Sequence, residues 1–147
     1  CTTKNKTDDI LVEQAKILNI KFFRGSENNV LSRVVNAVKK FKADTIVQIT
    51  ADCPIIDYKI IKQAISIYNK NKYDCVSNSF VRSFPDGMDV SVVNSKSLIK
   101  TNILSKKKKH KQHVTLFIRE NPKIFKIKNL IATKKNYWPE LGVTLDE

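Results

Sequence analysis

The sequence has no apolar run approaching the ~20 residues that a membrane-spanning helix needs. Its first residues, Cys1-Thr-Thr-Lys-Asn-Lys6, lack the apolar stretch of a secretory leader. No membrane partner is expected, and the expected compartment is the cytoplasm. Cysteine is scarce: Cys1, Cys53 and Cys75 are odd in number, widely spaced and form no CxxC pair. Reduced, space-filling thiols are therefore expected in place of a disulfide framework or a zinc site. Aromatics make up only 8% of the chain and fall mostly on predicted core faces. That leaves no stripe of stacking side chains interleaved with the basic ones, which argues against the competing reading as a non-catalytic nucleic-acid-binding domain. Internal repeats and linker-like stretches are missing too. At 147 residues the chain suffices for one core and not for two, so residues 1–147 are read as a single domain.

Acidic residues are thin in the second half. Residues 96–147 hold 13 of the 27 basic residues and four acidic ones, so this segment carries +9 of the net +13. A basic face suits an anionic partner. A lysine-rich solvated surface accounts for most of the same residues, and Lys106–Lys111, with His110 among them, is read as a charged surface loop.

The stretch Thr45-Ile-Val-Gln-Ile-Thr-Ala-Asp-Cys-Pro-Ile-Ile-Asp57 organises what is present. Its β-branched run, interrupted only by Gln48, reads as a central strand buried on both sides. Pro54, which has no amide hydrogen, stops it. Asp52 is thereby set just past a strand's carboxyl end, the edge where open α/β sheets bind ligands. Asp57 then caps a helix with Ile60, Ile61, Ala64, Ile65 and Tyr68 on its inner face. Upstream, helices are expected over 8–18 and 28–42, the second capped by Ser26, with a strand at 20–23 between them. A strand at 73–77 ends in Ser77-Asn78-Ser79. Helix and strand alternate to this point, as in an α/β sheet. Phe84-Pro-Asp-Gly87 is a turn, Met88–Val92 an alternating strand with Asp89 on its polar side, and 95–104 a helix. A helix over 112–120 carries His113, Val114, Phe117 and Ile118 on one side. Strands at 125–131 and 141–145 follow, the last ending in Asp146. Two strand ends thus deliver carboxylates, Asp52 and Asp146, the usual protein contribution to a Mg²⁺ site completed by phosphates and water.

Several of these segments, taken in order, resemble a known family. Ile49-Thr-Ala-Asp-Cys-Pro-Ile-Ile-Asp57, Asp74-Cys-Val-Ser-Asn78, Phe84-Pro-Asp-Gly-Met-Asp-Val90, His113-Val-Thr115 with Glu120–Lys126, and Val143–Glu147 are similar to cytidylyltransferases of the spore-coat polysaccharide biosynthesis protein F type. These are related to the acylneuraminate and 3-deoxy-manno-octulosonate cytidylyltransferases. The resemblance implies a Rossmann-like, three-layer nucleotide-diphospho-sugar transferase fold, a mostly parallel sheet with helices on both faces. It implies transfer of CMP from CTP to an acidic or modified sugar, with Mg²⁺ and release of pyrophosphate. Another nucleotide-sugar-handling transferase on the same fold is the alternative. Asp52 and Asp146 fall where the family has its metal-binding, catalytic aspartates. Ser77, Asn78 and Asp89 fall on the segment lining the sugar and nucleotide cleft, with His113 beside them, and a homodimer is the family tendency. The family's first strand and its Gly/Ser/Arg nucleotide loop have no counterpart after Cys1, so a fragment of a longer product is expected. Each residue also has a plainer use: Asp52 capping its turn, Asp89 as the exposed member of a strand, Ser77 and Asn78 closing a strand, His113 in a core face.

Overall fold

A computed structural model describes residues 1–145, so Asp146 and its expected metal role lie outside the described residues. Twelve elements carry the fold: β1 (Thr2–Thr3), α1 (Asp9–Ile17), β2 (Arg24–Gly25), α2 (Val30–Phe41), β3 (Thr45–Gln48), α3 (Tyr58–Lys70), β4 (Cys75–Ser77), β5 (Ser91–Asn94), α4 (Ser95–Leu104), α5 (Lys108–Gln112), α6 (Leu116–Glu120) and β6 (Ile127–Asn129). The local chemistry that starts the helices is visible at their caps. Asn29 Oδ1 accepts from the Ser32 amide at 3.0 Å, Asp57 Oδ1 from Lys59 at 2.8 Å, and Asn94 Oδ1 from Lys96 at 2.9 Å. Each satisfies an amide that has no partner inside its own helix. Ser26, expected to cap α2, instead holds the Asn29 amide one step earlier.

The main sheet has the order β3-β5-β4-β6, and β1 with β2 forms a separate parallel pair. β3, β4 and β6 run the same way and β5 runs against them. The period-2 alternation of β4 and β5 divides the core. Cys75 and Val93 face one side, with Leu31, Val35 and Val38 of α2, Leu98 of α4, Val114, Ile118 and Phe125. Val76 and Val92 face the other, with Ile60 and Ala64 of α3, Phe84, Val90, Leu130 and Ala132. Helices therefore cover both faces, as expected of three layers.

Several expectations need correction. β3 is not a strand covered on both sides: it pairs only with β5 among the described residues, and Val47 and Ile49 are about two-fifths exposed. A β-branched run records capacity for burial, whereas strand order decides whether a neighbour is there. The expected strand at 20–23 is irregular chain; pairing occurs at Arg24–Gly25. The last expected strand contributes a single bridge, Asp86 with Gly142. Of the helix expected over 112–120, Leu116–Glu120 forms as α6 after a break at His113–Thr115, and the charged loop before it is α5, with His110 buried. Cys53 and Cys75 are buried free thiols, as expected of space-filling side chains, whereas Cys1 is exposed.

Asp74 ties three elements. Its carboxylate accepts from the Ser97 hydroxyl in α4 and, at 2.8 Å, from the Lys126 amide before β6, while its carbonyl accepts from the Asn94 amide. Replacing Asp74 with Ala strands two donors and should cost roughly 1–3 kcal/mol, read as a lower urea midpoint. Asp74→Asn, which keeps one acceptor oxygen, should lie between the two.

Candidate functional site

The antiparallel course of β5 builds the site. Gln48 of β3 pairs with Ser91 of β5, so the chain leaving β3 and the chain entering β5 meet at one edge of the sheet. Asp52 lies four residues after Gln48 and Asp89 two residues before Ser91, and both reach that edge. Burial pushes the Asp89 carboxyl upward, the Arg82 guanidinium opposes that rise, and Asp86 and Asp52 add smaller repulsions. Asp52 is exposed, and the Thr50 hydroxyl beside it holds its carboxyl below the usual range. It is therefore ionised at neutral pH.

Three cavities that share walls run along this edge. The first, about 610 Å³, lies between the open side of β3 and α2, with Asp52, Thr50 and Arg33 on its polar side. The second, about 270 Å³, shares Val30, Gln48, Thr50 and Val114 with it and adds Asp89, Ser91 and His113. The third, about 340 Å³, shares Ser79, His113 and Thr115 with the second and adds Arg82 and Arg119. The expected residues Asp52, Asp89 and His113 thus share one cleft. His113 sits on its rim, exposed, on the break between α5 and α6.

Ser77 and Asn78 lie elsewhere. Both are buried and line none of the three cavities. Ser77 Oγ donates to the Val90 carbonyl at 3.0 Å, and the Asn78 side chain accepts from the Val90 amide at 2.9 Å and donates to the Met88 carbonyl at 2.7 Å. Their polar atoms clamp the segment that carries Asp89 onto β4, and the cleft wall is made one residue later, by Ser79. The closing segment is also held here. Asp86 exchanges backbone bonds with Leu141 and Val143, and the Leu145 amide donates to the Asp52 carbonyl at 2.9 Å. Gly87 permits this approach: its φ is +96°, and a Cβ there would meet the Thr144 nitrogen and the Val143 carbonyl carbon at 2.8 Å.

Several cleft residues were given no role by the sequence reading. Gln48 stood out as the lone polar residue of an apolar strand, and its Oε1 is buried without a partner among the described residues. Arg82 is held by Asp86 at 3.0 Å and by Asp89 at 3.2 Å, a pairing that depends on how the Pro85–Gly87 turn folds back. Arg119 and Thr115 join the wall through the break between α5 and α6, which no local pattern marked. For a divalent cation the donor chemistry fits in part. Asp52 offers an ionised carboxylate at a strand end, matching the one or two carboxylates Mg²⁺ draws from protein. Among the described residues no cluster of three or more His, Cys, Asp or Glu surrounds it.

Behind the cleft, Glu120 ties α6 to α5. Lys109 Nζ lies 2.5 Å from one carboxylate oxygen and His110 Nε2 2.8 Å from the other, while Phe117 sets its ring edge-on to His110. These hydrogen bonds, Lys109 first, bring the Glu120 carboxyl from 4.5 down to about 2. A group whose folded value is depressed adds stability that is complete above its unfolded value and lost as pH falls through the folded one. Chemical-denaturation midpoints should therefore fall as pH drops from about 4.5 to about 2, and Glu120→Gln should flatten that part of the profile.

With this geometry in place, comparison with known proteins assigns the family. The sequence profile of the cytidylyltransferase family matches residues 1–143. An uncharacterised protein of Methanocaldococcus jannaschii is 36% identical over 126 residues, which are 86% of this chain and 51% of that protein. The spore coat polysaccharide biosynthesis protein SpsF of Bacillus subtilis is 30% identical over 146 residues, 99% of this chain and 60% of that one. The chain thus spans between half and three-fifths of the length of the curated relatives it matches. Among solved structures, a cytidylyltransferase from Leptospira borgpetersenii superposes with a TM-score of 0.91 at 28% identity, over 99% of this chain and 61% of that one. A CMP:2-keto-3-deoxy-manno-octonic acid synthetase complexed with CTP superposes with a TM-score of 0.58 at 13% identity, over 89% of this chain and 70% of that one, a likeness of fold. The profile match over nearly the whole length, together with the kinship to SpsF, shows that the chain belongs to the cytidylyltransferase family.

Proposed function

We propose that this chain forms part of a cytidylyltransferase that joins CMP from CTP to an acidic or modified sugar, releasing pyrophosphate, in the making of a surface polysaccharide. The family match supports the reaction class, and kinship to a spore coat polysaccharide biosynthesis protein supports the setting. The observation that carries the reading is the ionised Asp52 carboxylate at the mouth of a cleft it shares with Asp89 and His113.

Nucleotidyl transfer is a displacement at phosphorus. A sugar hydroxyl oxygen bonds to the α-phosphorus, the bond to pyrophosphate breaks, and the hydroxyl proton passes to solvent. Most of the acceleration in such reactions comes from alignment and from neutralising charge. Asp52 would hold Mg²⁺, and Asp146 is proposed as its second carboxylate. When bound, the ion supplies charge neutralisation at the phosphates. The chain's own groups do the rest. Asp89, half-buried and kept in place by Arg82, accepts a hydrogen bond from an acceptor hydroxyl. His113, on the rim, donates to or accepts from the sugar. Ser77 and Asn78 hold the Asp89 segment so that its carboxylate keeps its direction.

The deciding measurement is calorimetric titration of CTP, with and without Mg²⁺, into the full-length product. Mg²⁺ should strengthen CTP binding, and Asp52→Asn should weaken Mg²⁺-dependent binding by at least about tenfold, the equivalent of ~1.4 kcal/mol. Binding that is unchanged in Asp52→Asn would remove the metal role. Affinity for oligonucleotides that falls steeply with salt, with no CTP binding, would favour the nucleic-acid alternative.

A further inference from the structure

Charge of one sign gathers around α4 and α5, on the face of the sheet opposite α3. Between Lys96 and Lys128 the chain holds eleven basic residues and a single acid, Glu120. Both Glu120 oxygens are taken by Lys109 and His110. Asp74, which faces α4 from just before β4, is spent on the Ser97 hydroxyl and the Lys126 amide. Asp44 meets α4 only at its amino end, where its carbonyl holds the Ser95 amide. Leu98 and Thr101 turn inward, which leaves Lys96, Lys100, Ile103 and Leu104 on the outer face of α4 at helical spacing. Ile103 is 65% exposed. Lys100 lies over the Phe125 ring, 5.5 Å from its centroid, so the neighbouring exposed Ile124 adjoins the same face. Lys106, Lys107 and Lys108 follow and lead into α5, exposed and without an ion-pair partner among the described residues.

A solvated charged face accounts for the lysines but not for the aliphatic side chains set among them. Ammonium groups bordering exposed aliphatic surface match an anionic lipid surface: the charges meet phosphate headgroups and the aliphatic groups enter the boundary beneath. Nucleic acid is a poorer match, because it is held by stacking rings and planar guanidiniums. Here Phe117 and Phe125 are turned into the core, and the segment's one guanidinium, Arg119, stands at the cleft. We propose that the outer face of α4 and the start of α5 dock on a membrane rich in anionic phospholipid, through Lys100, Lys106, Lys107, Lys108 and Ile103. The lack of a spanning helix, on which the expectation of no membrane partner rested, does not bear on contact at a membrane's surface. The docking surface adds a location to the transferase reading and does not depend on it.

The test sediments the full-length product with phosphatidylcholine vesicles, with and without phosphatidylglycerol at about one third of the lipid. Binding should require the anionic lipid and fall as salt rises from about 0.05 M to about 0.5 M. Lys106→Glu, Lys107→Glu and Lys108→Glu together should weaken it by roughly 100-fold, about fivefold for each lysine. These positions are exposed and acidic residues suit the first turn of α5, so the circular dichroism of the parent should be kept. The same exchange at Lys59, Lys62 and Lys70, exposed on α3 across the sheet, makes an equal change in net charge and should leave binding nearly intact. Ile103→Ser should weaken binding roughly fivefold without changing its salt dependence. No sedimentation, equal binding to uncharged vesicles, an equal loss in the α3 variant, or parental binding by either the triple-lysine or the Ile103 variant would each overturn the assignment. So would a tighter hold on a single-stranded or duplex oligonucleotide that the Lys106–Lys108 exchange abolishes. Titration of Mg²⁺-CTP into the same preparations reports on the transferase reading separately, and the Lys106–Lys108 exchange should leave it unchanged.

Discussion

The site depends on one strand running the wrong way. β5 lies between β3 and β4 and is antiparallel to both, so its amino end meets their carboxyl ends. Ser91, Val92 and Val93 are buried, and the strand's two faces feed the two core clusters. Reversing β5 would carry Asp89 to the far edge of the sheet, away from Asp52. The hydrogen bonds of Ser77 and Asn78 to the Met88–Val90 segment extend this constraint beyond the strand itself. Those side chains serve the site by holding its backbone, which explains both their burial and their place next to the cleft.

Charge along the cleft is arranged as a gradient. Asp52 stands at one end and Asp89 in the middle, countered by Arg82, and Arg119 closes the other. Several of the remaining basic residues do other work. Lys40 lies over the rings of Phe23 and Phe41, Lys100 over Phe125 and Lys126 over Tyr73, at 5.1–5.9 Å from the ring centroids. In that geometry the lysine stem covers apolar surface while its ammonium stays wet. Lys109 is spent on Glu120. The high net charge is therefore largely a property of the surface, and the part that bears on a ligand comes down to a few residues at the edge of one sheet.

Local patterns made much of the fold legible. The bounds of α4 were readable to the residue, and Asp57 was readable as the cap of α3, because caps and 3.6-residue periodicity depend on neighbours a few positions away. Half of the cleft was readable in the same way: Asp52 from a strand end followed by proline, and Asp89 and His113 from their motifs. Arg82, Arg119 and Gln48 were not, because their roles come from partners across a turn, a helix break or a neighbouring strand. His110 shows the limit most clearly. It sits among lysines that read as solvated loop, yet it is buried because Glu120, ten residues on, and Phe117 fold back over it.

Sequence alone settled the inner face of α3 and its Asp57 cap, the alternation of helix and strand in the first half, and the acidic stop after the Thr45–Gln48 strand. Each follows from covalent chemistry or from side-chain spacing within one or two turns of backbone. Tertiary structure alone decided that β3 has an open side, that β5 is reversed, that Ser77 and Asn78 point inward, and that Arg119 lines a cavity whose wall, among the described residues, holds no carboxylate. These depend on which distant segments pair and pack, and the free energy of such pairing is a property of the whole chain that no single window of residues contains.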